Sequence, residues 1–244
     1  MKHTVSLALL CGLLGAGLGL NPALARPTPQ QPHFASPAQI VAAEVVFQQL
    51  AQRKGQWAAF RDTAAEDAVM FVPQPVVART WLRAQKTNPA QPLTWQPHQV
   101  WLSCDGSLAV SYGAWQQGSG KQGYFTTVWQ RQKKGDYKWV MDQGDDLSAA
   151  LPAPEMIGSA VGVCIRGRMP DPATPPALPA GTRGGWSDDR TLSWAVTVDA
   201  NCARSLTISL LRGADQPMTP MLTRQVAAPL GADGKPSATC EAAA

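Results

Sequence analysis

The sequence predicts an α+β protein: three helices, then four long antiparallel strands, then a small all-β extension. Three observations carry this. Apolar residues recur at helical spacing from residue 36 to about residue 84, four β-rich runs follow from Leu93 onward, and two alternating runs appear beyond a proline-rich stretch.

The first helix is announced by Ser36 and Pro37, a cap followed by proline at the first helical position. Ile40, Val41, Val45, Phe47 and Leu50 are its expected apolar face, and Gly55 stops it. A second helix starts at Gln56 with Trp57, Phe60 and Ala64 on one face, and Glu66 and Asp67 are expected to cap or solvate its end. After VMFVPQPVV a third follows in ARTWLRAQK, with Val77 and Trp81 four apart.

The runs LTWQPHQVWLS, SLAVSYGAWQQ, GYFTTVWQRQ and DYKWVMDQ are rich in β-branched and aromatic residues. Cys104-Asp105-Gly106, the QGSGKQG cluster and Lys134-Gly135-Asp136 join them as hairpin turns. The cluster around Lys121 is not a phosphate loop. That motif needs a glycine five residues before the Gly-Lys pair and a hydroxyl after it, where this chain has Trp115 and Gln122. Arg131, Lys133 and Lys134 read as the solvated tip of the last hairpin.

Residues 1 to 25 read as a secretory signal peptide. Lys2 precedes an apolar run from Leu7 to Leu20, and NPALA offers a small-x-small site that predicts cleavage after Ala25. The run is shorter than a bilayer span, and Leu10 ahead of Cys11 does not suit lipidation, so no membrane association is expected after cleavage. Without Lys2 the chain keeps 20 Lys and Arg against 17 Asp and Glu, a net charge of +3 that is too mild and too scattered for nucleic acid.

Four cysteines remain, Cys104, Cys164, Cys202 and Cys240, in what the signal peptide makes an oxidising compartment. Two disulfides are expected. Spacing alone leaves three connectivities open; pairing Cys104 with Cys164 and Cys202 with Cys240 would staple the two halves and tie down the tail. Zinc is disfavoured because there is no CxxC pair and no nearby histidine. No cofactor is expected, and Asp188-Asp189 lacks the further oxygen ligands of a calcium loop.

The boundaries follow from composition. Residues 26–37 form a Pro-Gln lead-in, 38–147 an α+β domain, 148–182 a linker with seven prolines between Pro152 and Pro179, and 183–244 a β-rich extension. Val161 to Ile165 is expected as a strand in the linker, grouped with TLSWAVTV, SLTISLL and PMLTRQVAA in one small sheet.

The stretches GQWAAFRDTAAEDAVMFVP (55 to 73), DGSLAVSYGAW (105 to 115) and GYFTTVWQRQKKGDYKWVMDQGD (123 to 145) resemble the secreted bacterial members of the nuclear transport factor 2-like superfamily, also called SnoaL-like or cystatin-like. The resemblance covers residues 38–147, roughly half of the chain. It implies a cone in which a curved sheet wraps a long helix, a pocket at the open end, and a homodimer through the outer face of the sheet. Enzymes of the family place an Asp, Tyr or His in that pocket.

Asp142, in the last strand of the cone, is the candidate general base, because an apolar pocket would raise its pKa. The competing role, which the sequence favours, is a solvent-facing or turn-stabilising carboxylate. His33 lies in the lead-in, and His98 is expected on a strand edge. From helical face and strand alternation, Trp57, Phe60, Trp81, Trp115 and Tyr124 are the candidate walls of a pocket for an apolar or aromatic small molecule. Two function classes remain. The preferred one is a non-catalytic module that binds a small molecule or a protein; the alternative is an isomerase, hydratase or cyclase using Asp142.

Overall fold

The computed structural model describes residues 35–164, 177–179 and 181–240, which belong to one compact unit. The expected signal peptide, His33 and Ile165 lie outside the described residues.

Helix α1 (Pro37–Lys54) starts after extended Ser36 and ends at Gly55, whose φ of 92° only glycine adopts without strain. It buries Ile40, Glu44, Phe47 and Ala51. Val45, expected inside, is 46% exposed. The buried stripe is rotated because one of its members is an acid, which hydropathy assigns to the outside.

Helix α2 (Gln56–Thr63) is followed at once by β1 (Ala64–Phe71), β2 (Pro75–Val77) and α3 (Ala78–Ala84). Ala64 therefore opens a strand and does not extend the face of α2. Glu66 and Asp67 are exposed on β1 and do not cap the helix. The alternation Ala64, Ala68, Met70 is short and small, which is why it reads poorly as a strand.

Strands β3 (Thr94–Leu102), β4 (Leu108–Gln116), β5 (Gln122–Arg131) and β6 (Tyr137–Asp146) form the expected meander. The sheet has seven strands in the order β2-β1-β6-β5-β4-β3-β7. It is mixed, not antiparallel throughout: β1 runs parallel to β6, and β7 (Gly158–Val161) runs parallel to β3. The linker strand thus begins earlier than expected and extends the cone sheet. The helices pack on one face around Phe47, Phe60, Leu82, Trp129 and Trp139.

The other face is covered. A second sheet, ordered β11-β10-β9-β8, comprises β8 (Thr182–Trp186), β9 (Leu192–Val198), β10 (Arg204–Leu210) and β11 (Thr219–Val226). Strand β8 takes the place foreseen for residues 161–165; its TRGGW sequence gives little apolar signal. Leu192, Trp194, Val196, Leu206, Ile208 and Leu210 share a core with Trp101, Leu108, Val110, Val128 and Met141 of the cone. The outer face on which the resemblance implies a homodimer is therefore occupied by the chain's own extension, so a homodimer would have to use another surface.

Polar contacts fix the same junction. The backbone N–H groups of Cys104 and Asp105 donate to Thr191 Oγ1 and Asp189 Oδ2, each at 2.8 Å. Cys104 is bonded to Cys164 and Cys202 to Cys240, the two pairs named above.

Candidate active site

Strand alternation builds the site. On β5, Phe125, Thr127 and Trp129 point toward the helices, while Tyr124, Thr126 and Val128 point outward. Thr127 pairs with Asp142 on β6, so both side chains stand on the inner face. They lie in the wall of a cavity of about 200 Å³ whose lining includes the rings of Phe47, Trp57, Phe60, Trp95, Trp115 and Phe125 together with Gln56, Met70, Leu93, Gln143 and Gly144.

Asp142 is half-buried and lines this cavity, where the sequence favoured a solvent-facing or turn-stabilising carboxylate. Thr127 Oγ1 donates to its Oδ2 at 2.6 Å. Burial is the main cause of a pKa pushed up to about 7; the Thr127 hydrogen bond opposes it and the charge of Glu44 adds to it. A carboxyl with that value holds a proton weakly enough, and takes one readily enough, to transfer protons near neutral pH.

Of the expected pocket residues, Trp57, Phe60 and Trp115 line the cavity with Asp142. Trp81 and Tyr124 do not. Trp81 lies behind the wall, its ring 5.5 Å from that of Trp57. Tyr124 is one residue out of phase with Phe125 and packs on the outer face, under Arg224 at 5.4 Å. Arg204 reaches β6 from the same side, donating through Nε to Gln143 Oε1 at 2.9 Å and through Nη2 to Gly144 O at 2.8 Å. The extension therefore holds the strand that carries Asp142.

Sequence reasoning missed Glu44. It is 1% exposed, and its carboxylate accepts from Trp95 Nε1 at 2.8 Å, Trp129 Nε1 at 3.0 Å and the Ser111 hydroxyl. Burial raises its pKa, and those three donors counter the shift. The signal available was its place, with 40, 47 and 51, in a stripe three and four residues apart. Gln56 was also missed. It is 6% exposed at the start of α2, and its Oε1 accepts from Leu93 N–H at 3.1 Å.

A larger cleft of about 650 Å³ opens between α1 and the adjoining ends of β3 and β4, and it shares Trp95 and Trp115 with the inner cavity. His98 lies on this cleft at the irregularity between Pro97 and Gln99, and burial lowers its pKa. Among the described residues, no three His, Cys, Asp or Glu side chains group as metal ligands. Asp189 is engaged in its own turn, accepting on Oδ1 from Ser187 Oγ and Thr191 N.

A long helix held against a sheet whose inner face carries an aromatic pocket is the layout of the nuclear transport factor 2-like cone that the sequence resembles. No family model and no curated protein matches the chain. Solved structures do. A protein of Parabacteroides distasonis provisionally named a ketosteroid isomerase is 14% identical, with a TM-score of 0.39 over 48% of this chain and 98% of its own. A provisionally named ketosteroid isomerase of Shewanella frigidimarina is 17% identical, with a TM-score of 0.34 over 43% and 94%. A provisionally named aromatic ring hydroxylase of Novosphingobium aromaticivorans is 16% identical, with a TM-score of 0.32 over 46% and 91%. These likenesses, each to under half of this chain, carry no argument about activity.

Proposed function

We propose that the chain is a secreted or periplasmic small-molecule enzyme that works by proton transfer, of the isomerase kind, with Asp142 as general base. The observation that supports this is the position of Asp142 in the wall of an aromatic cavity, with its pKa pushed up to about 7. A module that only binds an apolar molecule needs apolar walls and nothing more. A carboxyl placed there costs desolvation energy that binding does not require, and a catalytic base gives that cost a use.

The chemistry matches the surroundings. One carboxylate oxygen is held by Thr127 and the residue lines the cavity, so a substrate C–H meets a base whose orientation is set. Aromatic walls select a flat apolar body. The compartment follows from the expected signal peptide and from two disulfides, which persist where thiols are not kept reduced. No helix among the described residues is long and apolar enough to cross a membrane.

Deuterium incorporation into the methyl group beside the carbonyl of 2-acetonaphthone, followed by NMR in D2O, tests the proposal without a known substrate. Exchange catalysed by the wild-type protein and lost in Asp142→Asn supports it. The same exchange rate in both proteins assigns Asp142 no role.

A further inference from the structure

The inner face of the extension sheet carries two arginines that no carboxylate neutralises. Arg204 on β10 stands opposite Val226, and Arg224 on β11 stands opposite Leu206, so the two are diagonal neighbours on one face. Arg204 and Leu206 are buried there, against the outer face of the cone sheet. Among the described residues the ion pairs join Lys54 and Arg61 to Asp62, and neither Arg204 nor Arg224 takes part in one. The charge of Asp145 acts on Arg204 without an ion pair forming.

Polar side chains of the cone sheet face these arginines. Strand register sets Tyr112, Thr126 and Gln143 side by side across β4, β5 and β6, with Tyr124 two residues along β5 on the same face. Arg224 lies over the rings of Tyr112 and Tyr124, 4.9 and 5.4 Å from their centres, and its Nη2 donates to the Tyr112 hydroxyl. Arg204 Nε donates to Gln143 Oε1, which fixes that amide with Nε2 as a spare donor.

Four buried donors are left over on this patch. Tyr124 O–H, Thr126 O–H, Gln143 Nε2–H and Arg224 Nε–H have no hydrogen-bond partner among the described residues. The other residues with such an atom, Arg79, Thr182 and Trp186, lie apart on α3 and β8. Tyr124, Thr126 and Gln143 are each more than nine-tenths buried. Burial raises the Tyr124 pKa, so its hydroxyl keeps the proton it would donate.

A buried donor without an acceptor is costly, and four together beside two guanidinium groups call for an acceptor that also brings negative charge. Water would meet the donors and leave the charge. An oxyanion meets both, because each of its oxygens accepts several hydrogen bonds and guanidinium matches its geometry. We infer that this patch between the two sheets binds a small oxyanion, a phosphate or a carboxylate group, through Arg224 and Arg204, the hydroxyls of Tyr124 and Thr126, and the amide of Gln143. The site is separate from the cavity that holds Asp142: Gln143 follows Asp142 on β6, and its side chain turns to the opposite face. A bound anion links the extension to the cone, so its occupancy is read as stability.

Thermal unfolding provides the test. The protein is unfolded in guanidinium chloride with its disulfides intact and refolded in chloride buffer, which removes anions carried from the cell. It is then titrated with sodium phosphate or sodium acetate at constant ionic strength, alongside Tyr124→Phe and Thr126→Val. Each variant deletes a hydroxyl that serves no protein partner, so the fold does not depend on it.

The wild-type Tm should rise along a saturating curve, and the apparent Kd should weaken about tenfold to a hundredfold in each variant, the worth of one hydrogen bond to a charged group. A response to phosphate alone assigns a phosphate group, a response to acetate alone assigns a carboxylate, and a response to both assigns small oxyanions as a class. No rise beyond that in chloride overturns the inference. So does a rise that grows linearly and equally in all three proteins, which is the general exclusion of phosphate from protein surfaces. A saturating rise with the same Kd in the wild-type protein and both variants places the anion elsewhere and also overturns it.

Discussion

Thr127 and Asp142 face each other across β5 and β6, and the Thr127 hydroxyl donates to Asp142 Oδ2 at 2.6 Å. The bond has two effects: it orients the carboxylate, and it stabilises the charged form against the burial that raises the pKa. Thr127→Val keeps the shape of the side chain and removes the donor. The acid limb of the pH dependence of deuterium exchange should move upward by up to about one unit, and the rate at pH 7 should fall. An acid limb that stays in place would show that the hydroxyl does not set the carboxylate's affinity for protons.

Stability carries the same information with a definite sign. The folded-state pKa of Asp142 is raised from 3.8 to about 7, so between those values the native state holds a proton that the unfolded chain has released. The contribution of Asp142 is fully present below about pH 4, is lost as pH rises toward 7, and is constant above that. Asp142→Asn does not titrate. Its Tm relative to the wild-type protein should rise steadily from pH 4 to 7.5, by about 2 to 4 °C for each kcal/mol of relief, and then level off. A difference that does not change with pH would contradict a raised pKa.

Glu44 predicts a loss. Two indole N–H groups and one hydroxyl converge on its carboxylate, and indoles can only donate. Glu44→Leu takes the acceptor from Trp95 Nε1, while Trp129 Nε1 keeps Ser111 Oγ at 3.0 Å and Ser111 Oγ keeps Thr127 O at 3.4 Å, so the cost is about 1–3 kcal/mol for the one group left unsatisfied. Urea denaturation should show a fall in midpoint of that order. Trp95, which also walls the cavity, should become more mobile, seen as broadened indole N–H resonances.

Gly55 joins α1 to α2 at φ 92°, and a Cβ there would stand 2.4 Å from the Asn88 side-chain nitrogen. Asn88 Oδ1 accepts from Trp57 N–H at 2.8 Å. Gly55→Ala therefore adds backbone strain of about 1–3 kcal/mol, because φ 92° with ψ 152° lies in a region essentially reserved for glycine, and displaces the side chain that seats Trp57. It should lower both Tm and the affinity for 2-ethylnaphthalene. A substitution at Gly120, where nothing lies within 4 Å of a Cβ, carries the backbone strain without the collision and should leave affinity level.

The disulfide between Cys202 and Cys240 closes a separation of 38 residues. Replacing both cysteines with serine should cost about 4 kcal/mol in the chain-entropy description. The loss should appear in denaturation of the extension, and deuterium exchange in the cavity should be unaffected at temperatures below the transition.

The parts of the fold legible in sequence are those whose signal is local. Ser36-Pro37 and Gly55 bound α1, and alternation with turn residues locates β3 to β6. What escaped depends on partners distant in the chain. Ala64 to Phe71 becomes a strand because β6 lies beside it, β7 because the edge of β3 is free, and TRGGW because β9 completes its ladder. The site divides in the same way. Trp57, Phe60 and Trp115 follow from periodicity, whereas Tyr124 failed because β5 is buried on both faces and its alternation carries no polar side to read. Glu44 and Gln56 look like surface residues until the sheet closes over them.

Deuterium exchange at the methyl of 2-acetonaphthone, measured from pH 5 to 9 with the wild-type protein and Asp142→Asn, tests the central claim most directly. The account predicts a rate that rises through a midpoint near pH 7 in the wild-type protein and falls to the buffer rate in Asp142→Asn, while 2-ethylnaphthalene still binds. Bound probe with buffer-level exchange in both proteins at every pH would contradict it.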